Sequence, residues 1–258
     1  MFLVKSCHSD DNIFSRNTIK IGSLNEYRKT EKKEIADEGE GNISLRFDLH
    51  NFHMHPTLWR ELRTFAHSEN LLHINRSIQK GYSALIEDYR FFERIIANAT
   101  LSKLNRYILC LSLLDSPREC STIFNEYNDY WYFHSSKIKL FGETLAANIL
   151  NEIKEKLKSG ANLFNERVNI SKLSVHWGAE QVKYTSRDII IDNYKLYTQS
   201  NDILKYIRQS YMIKPLQFSH EKEFRFVFDI YNDETLLIPK ESSLIIPATG
   251  ITNFSMKK

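Results

Sequence analysis

A chain of 258 residues, 42% hydrophobic and 26% charged, can close a globular core, and with 8 Gly and 5 Pro it has no linker-like stretch that would divide it. Its formal net charge of +3 falls short of the strongly basic footprint of a dedicated nucleic-acid binder, so any basic patch must come from local arrangement. Cys7, Cys110 and Cys120 are odd in number and form no CxxC pair, which argues against a structural zinc site and a disulfide framework.

In chain order, Phe2 to Ser6 and Ile19 to Ser23 read as short strands joined by a polar loop. Gly22 and Ser23 lead into Leu24-Asn25-Glu26-Tyr27-Arg28, and the charged stretch from Lys29 to Gly41 reads as a solvated loop. Asn42 to His55 alternates apolar and polar side chains as a half-buried strand does. Pro56 to Ala66 is expected to be a helix begun by its proline, and the aromatic-rich stretch from Tyr82 to Ala97 a second one. Arg106 to Leu114 is apolar almost throughout and reads as a central strand covered on both faces, in which Cys110 is a small buried hydrophobe.

Tyr130 to His134 follows as an aromatic strand, and Lys137 to Lys158 is the clearest helix. Its Leu145, Ile149, Ile153 and Leu157 recur every fourth residue, and Gly160 ends it. Val168 to Trp177 and Gln181 to Tyr184 are strand-like, and Asp202 to Ser210 is helical. Strands at Glu223 to Ile230, Thr235 to Ile238 and Leu244 to Pro247 complete the chain. Strands toward both ends with helices inserted in the middle predict one α+β domain over residues 1–258, built on a split mixed or antiparallel sheet. The opening apolar run is too short for a signal-peptide core and no stretch reaches bilayer length, so a cytoplasmic protein off the membrane is expected.

Ser219 to Phe228 carries the densest chemistry. Read as a strand of period two, Phe224, Phe226 and Phe228 share one face with Lys222, and Glu221, Glu223, Arg225 and Val227 share the other. If the phenylalanines face the core, two carboxylates and a guanidinium line the opposite face. Such a row is either an exposed salt-bridged surface or the wall of a cleft.

The pattern F-S-H-E-K-E-F-R, with the earlier IKIGSLNEYRKTE, YILCLSLL and NDYWYF, resembles the signature of a broad bacterial family of intracellular proteins. That family is in turn similar to ADP-ribosyltransferases, including bacterial toxins that modify DNA or RNA. The resemblance implies a catalytic Glu-x-Glu, here Glu221 and Glu223, with Glu223 in the catalytic place. It implies NAD as substrate, held by Lys5, Tyr27, Arg28, Ser112, Trp131 and Arg225, although Lys5 stands where those enzymes carry Arg or His. It also implies a toxin or phage-defence effector whose acceptor is RNA, DNA or protein, with a neutralising antitoxin partner if it is a toxin.

Two other readings stay open. The fold could serve a non-catalytic binding or sensor module, or His50, His53 and His55 could hold a metal for a nuclease, though Asp48 is the one acidic neighbour at a usable spacing. Ser112, Ser121 and Thr122 lack a neighbouring His–Asp arrangement, and no Gly-rich phosphate loop occurs. Glu223→Gln, a near-isosteric exchange, is expected to spare the fold.

Overall fold

The structure is a computed structural model that describes residues 1–29, 38–57, 60, 70–77, 85–86 and 89–258. In chain order its elements are β1 (Phe2–Cys7), α1 (Ile13–Arg16), β2 (Thr18–Ser23), α2 (Leu24–Lys29), β3 (Asn42–Met54), β4 (Asn70–Ser77), β5 (Leu85–Ile86), β6 (Tyr89–Lys103) and β7 (Tyr107–Leu114). They continue with α3 (Cys120–Ile123), β8 (Asp129–His134), α4 (Ile138–Lys158), β9 (Leu173–Gln181), β10 (Lys183–Tyr184), β11 (Asp188–Asp192), α5 (Asn193–Thr198) and α6 (Ser200–Arg208). The last are β12 (Ile213–Lys214), β13 (Glu223–Asn232), β14 (Thr235–Leu237), β15 (Ser243–Pro247) and β16 (Met256–Lys257). The chain is therefore α+β, with mostly antiparallel sheets. Among the described residues no helix is long and apolar enough to cross a membrane.

Contacts gather into two compact units, one made of Met1–Glu38, Asn105–Lys183 and Gln217–Lys258, the other of Gly39–Leu104 and Tyr184–Leu216. The first is built on a nine-stranded sheet in the order β14-β13-β7-β1-β8-β16, with β9 added on β13 and the pair β15-β2 added on β7. β13 is central: β9 runs along one edge, and β7 followed by β14 runs along the other. Its Phe224, Phe226, Phe228 and Ile230 point into the main core, as the period of two requires.

Helix α4 covers that core face. Its Phe141, Leu145, Ile149 and Ile153 are fully buried, which is the i+4 stripe doing what it predicts. Gly142 lets the helix approach β9: a Cβ there would lie 2.4 Å from the Trp177 ring. Gly160, at φ 89, ends the helix in the left-handed conformation, and Ala161 donates back to the Lys156 carbonyl at 2.9 Å.

The second unit has a sheet in the order β11-β3-β6-β4, with β5 on β6 and β11 parallel to β3. Ile43, Leu45, Phe47 and Leu49 form the buried face of β3, and Ile191, Leu196, Ile203 and Ile207 pack with them.

Several expectations need correction. Tyr89–Lys103 is a strand where a helix over Tyr82 to Ala97 was expected, so the described elements between Asn42 and Lys103 are strands apart from the start of a helix at Pro56. Its aromatic and β-branched residues favour a strand, and the pairing with β3 and β4 decides the matter. Most of the helix expected from Pro56 to Ala66 lies outside the described residues. β9 starts at Leu173 rather than Val168, because the Asn169 side chain accepts from Ser171 N and winds Ile170–Lys172 into a 3-10 turn.

Candidate active site

The site is framed by a fork in the large sheet. On the edge of β7 facing away from β13, β2 pairs at Tyr107 and Ile108 and β1 pairs at Ser112 to Leu114. Between them neither strand is in register with Leu109, Cys110 or Leu111. Lys5, on β1 just past its last pairing with β7, donates from Nζ to the Cys110 carbonyl at 3.0 Å. The ammonium thus supplies a donor where a neighbouring strand would supply an amide.

Tyr27 arrives from the other arm of the fork. Helix α2 starts directly at the end of β2, with Leu24 N donating to Arg106 O at 3.2 Å, Asn25 N to Asn105 Oδ1 at 3.0 Å and Glu26 N to Ser23 Oγ at 3.3 Å. One turn on, Tyr27 folds back over Gly22. A Cβ on Gly22 would sit 3.0 Å from its ring and 2.7 Å from Glu26 Oε2, so the absent side chain makes the space.

Glu223 and Arg225 project from β13 on the face opposite Phe224 and Phe226. They are 4% and 1% exposed, with the Arg225 Nε 2.7 Å and its Nη2 2.6 Å from Glu223 Oε1. Across the ladder Glu223 is in register with Ser112 and Arg225 with Cys110. Burial first, then the neighbouring Glu223 charge and a hydrogen bond to that carboxylate, push the Cys110 thiol up to about 12, against the pull of Arg225. The Tyr27 hydroxyl is pushed well above its ordinary value by burial, by Cys110, with which it shares a hydrogen bond, and by Glu223. Both groups stay protonated near neutrality.

Glu221 is also buried, at 3% exposure, but by a different route from the one the alternation predicts. Leu216–Glu221 is a 3-10 turn, and Lys222 takes a left-handed backbone at φ 47 before β13 starts. The two carboxylates are therefore separated by a kink rather than spaced along one strand. Lys222, expected on the phenylalanine face, points outward and pairs with Glu119 at 3.0 Å, while its carbonyl accepts from Leu113 N at 2.8 Å. Ser112, expected to touch the cofactor, donates its hydroxyl to the Glu221 carbonyl at 2.7 Å and fixes that turn.

No protein-family model, curated protein or solved structure matches the chain. The site is therefore read from its own geometry.

A pocket of about 310 Å³ opens at the fork, at the small end of ligand-binding volumes. Lys5, Gly22, Glu26 and Tyr27 line it together with Leu109 and Trp131. Lys20 pairs with Glu26, and Arg16 pairs with Asp11 at 2.6 Å, so part of the charge at its rim is neutralised. Glu223 and Arg225 are not lining residues; Cys110, in register with Arg225, accepts at its carbonyl from Lys5, which is.

The structure brings Lys5 and Tyr27 to one pocket, leaves Glu223 and Arg225 buried outside its lining, and alters the roles of others. Arg225, expected at the pyrophosphate, is buried and turned onto Glu223. Trp131 is a core side chain at 2% exposure, tilted against Phe141 at 6.0 Å, that also borders the pocket. Arg28 is half-buried and reaches Asn25 Oδ1 at 3.1 Å. The buried Arg225 also bears on the expectation for Glu223→Gln: the exchange removes the charge that its Nε and Nη2 meet.

Sequence reading missed Cys110 and Gly22. An apolar run hides a residue whose carbonyl holds Lys5 and whose register is with Arg225, while the Gly directly before a Ser-capped helix was the signal available for a close approach. The three histidines do not converge. His50 lies 3.0 Å from Asp48, the His53 ring is 4.9 Å from that of Phe91, and His55 Nδ1 accepts from Thr57 N at 3.1 Å. Among the described residues no three His, Cys, Asp or Glu side chains gather to hold a metal.

Proposed function

We propose that the chain is an NAD-dependent ADP-ribosyltransferase, with an ADP-ribosyltransferase-like fold and Glu223 as its catalytic carboxylate. One observation carries the reading. Lys5 and Tyr27 come from separate stretches of chain and line one pocket at a fork in the sheet, while Cys110, on the strand between the arms, accepts from Lys5 and lies in register with Arg225, which holds the buried Glu223. A buried carboxylate on the strand beside a tyrosine- and lysine-lined pocket is an arrangement that can meet a cationic transition state flanked by phosphates.

Breaking the bond between nicotinamide and ribose builds positive charge on the ribose carbon, as in glycoside cleavage. Glu223, fixed by Arg225, needs no reorganisation to stabilise that charge through the ribose 2′-hydroxyl. Glu221 takes the proton of the attacking nucleophile. Tyr27 stacks on the nicotinamide, while Lys5 and Arg28 meet the pyrophosphate, and Trp131 contributes an apolar edge. Arg225 acts on Glu223 rather than on NAD. The acceptor is a nucleic acid or a protein, and the biological setting is a toxin or defence effector with its own neutralising partner.

A binding or sensor module is the competing reading, favoured by the close Glu223–Arg225 pairing, which a purely structural ion pair would also make. Labelled NAD incubated with the protein and with RNA, DNA or lysate separates the two. Nicotinamide release or label transfer is expected from the wild-type chain. The double variant Glu223→Gln/Arg225→Met removes both buried charges together and so keeps its fold, checked by circular dichroism. Its rate should fall about 10²–10³-fold. Turnover equal to wild type, or none from wild type with any acceptor, ends the enzyme reading.

A further inference from the structure

We propose that the pocket at the fork is an oxyanion site centred on Lys5, and that a phosphate-bearing ligand opens it by drawing Arg16 and Lys20 away from Asp11 and Glu26. The ligand's identity as NAD rests on the ADP-ribosyltransferase reading; the site itself does not. Lys5 is half-buried and lines the pocket, and its Nζ donates to the Cys110 carbonyl at 3.0 Å. Among the described residues no carboxylate lies within ion-pair distance of it. An ammonium carries three donors, so two remain for a ligand. A charge partly withdrawn from water and lacking a counterion favours the entry of an anion.

Arg16 and Lys20 also line the pocket, and so do their carboxylate partners. Arg16 ends α1, Asn17 turns the chain at φ 53, and Lys20 follows on β2, in register with Ile245 of β15. The backbone under both cations is thus held, and only their side chains need move. Arg16 meets Asp11 through Nη1 at 2.6 Å with both side chains exposed, and Lys20 is exposed beside a half-buried Glu26. Exposed pairs of this kind contribute little, so breaking them costs little. A phosphate carries more charge and more oxygens than one carboxylate, and it can take the arginine fork bidentately. Once Arg16 and Lys20 turn onto it, three cations face the ligand. A simple carboxylate offers nothing that Asp11 and Glu26 do not already supply, so the rim pairs set a preference for phosphate. Leu109 and Trp131 line the same pocket and suit the apolar part of a phosphorylated nucleoside.

The test is a calorimetric titration of the full chain with inorganic pyrophosphate at low ionic strength, with acetate as the control anion. Saturable pyrophosphate binding is expected, and acetate should not compete. Lys5→Met, which keeps the length of the side chain, should weaken binding about tenfold or more, the loss of a hydrogen bond to a charged group. Arg16→Gln and Lys20→Gln should each weaken it about twofold to fivefold. Asp11→Asn and Glu26→Gln should tighten it by a similar factor, because Arg16 and Lys20 are then already released. Glu155→Gln, which breaks a surface pair with Lys158 on α4, should change nothing. No saturable binding by wild type overturns the proposal, as does wild-type affinity in Lys5→Met, competition by acetate, or the absence of tightening in both Asp11→Asn and Glu26→Gln. Should Lys5→Met fail to fold, the four rim variants still decide. Pyrophosphate binding of this pattern without NAD turnover leaves the site standing and ends the enzyme reading alone.

Discussion

Cys7 and Cys110 have folded-state pKa values of about 12, each raised from 9.0 mainly by burial, and Cys120 is shifted the same way. Raised thiol pKa values mean that the folded chain holds protons the unfolded chain has already released. Stability should therefore be untouched below pH 9 and decline as pH rises from about 9 towards 12. Urea titrations at pH 8, 9.5 and 10.5 would read this as a falling midpoint. In the same terms, iodoacetamide at pH 8 should label the unfolded chain while sparing Cys110 in the native one, because the thiolate is the nucleophile. Rapid native labelling of Cys110 would contradict its raised pKa beside Glu223. The backbone at Lys222 adds a second residue-scale test. Lys222→Val should cost about 1–2 kcal/mol in a denaturation midpoint, since a β-branched residue resists φ near 47°. Lys222→Gly should be close to neutral. The kink was invisible in the sequence because nothing in Glu-Lys-Glu marks a left-handed residue; lysine is not a residue that invites one.

At the scale of elements, α4 and β6 make an instructive pair. α4 was legible because its core contacts lie on a single stripe every fourth residue, so the sequence alone carried the packing. β6 was not, because what makes it a strand is its pairing on both edges with β3 and β4, distant in sequence. The phenylalanine face of β13 was legible for the same local reason as α4. The opposite face was left between cleft and surface, since burial of Glu223 and Arg225 depends on tertiary packing that the strand's own sequence does not carry. Helix α4 offers a direct test of close packing. Gly142→Ala drives a methyl into the Trp177 ring and should cost about 1–3 kcal/mol, whereas Leu145→Ala opens a cavity and should cost about 2–5 kcal/mol. A thermal-melt series distinguishes them from the exposed Leu140→Ala, which should shift little.

Among the described residues of the molecule, the two larger hydrophobic cores are assembled from alternating pieces of one chain, with a smaller cluster around Val4, Leu114, Cys120 and Tyr130. Ile203→Ala, in the core under β3, should speed amide exchange most in β3 and β11; Leu145→Ala should do so in β9 and β13. Uniform loss of protection from either change would mean that the cores open as one. The chain runs out of one unit and back twice, and each excursion has a narrow neck. Lys103 N donates to Gly41 O at 3.1 Å, and Thr185 N donates to Lys214 O at 3.0 Å. Because departure and return coincide, sequence can be gained or lost between these points while the strands that hold Glu223 and Lys5 stay in register. The closure penalty grows only with the logarithm of the added length. Such a neck leaves one part of the protein free to diversify over generations while the other is held to its chemistry.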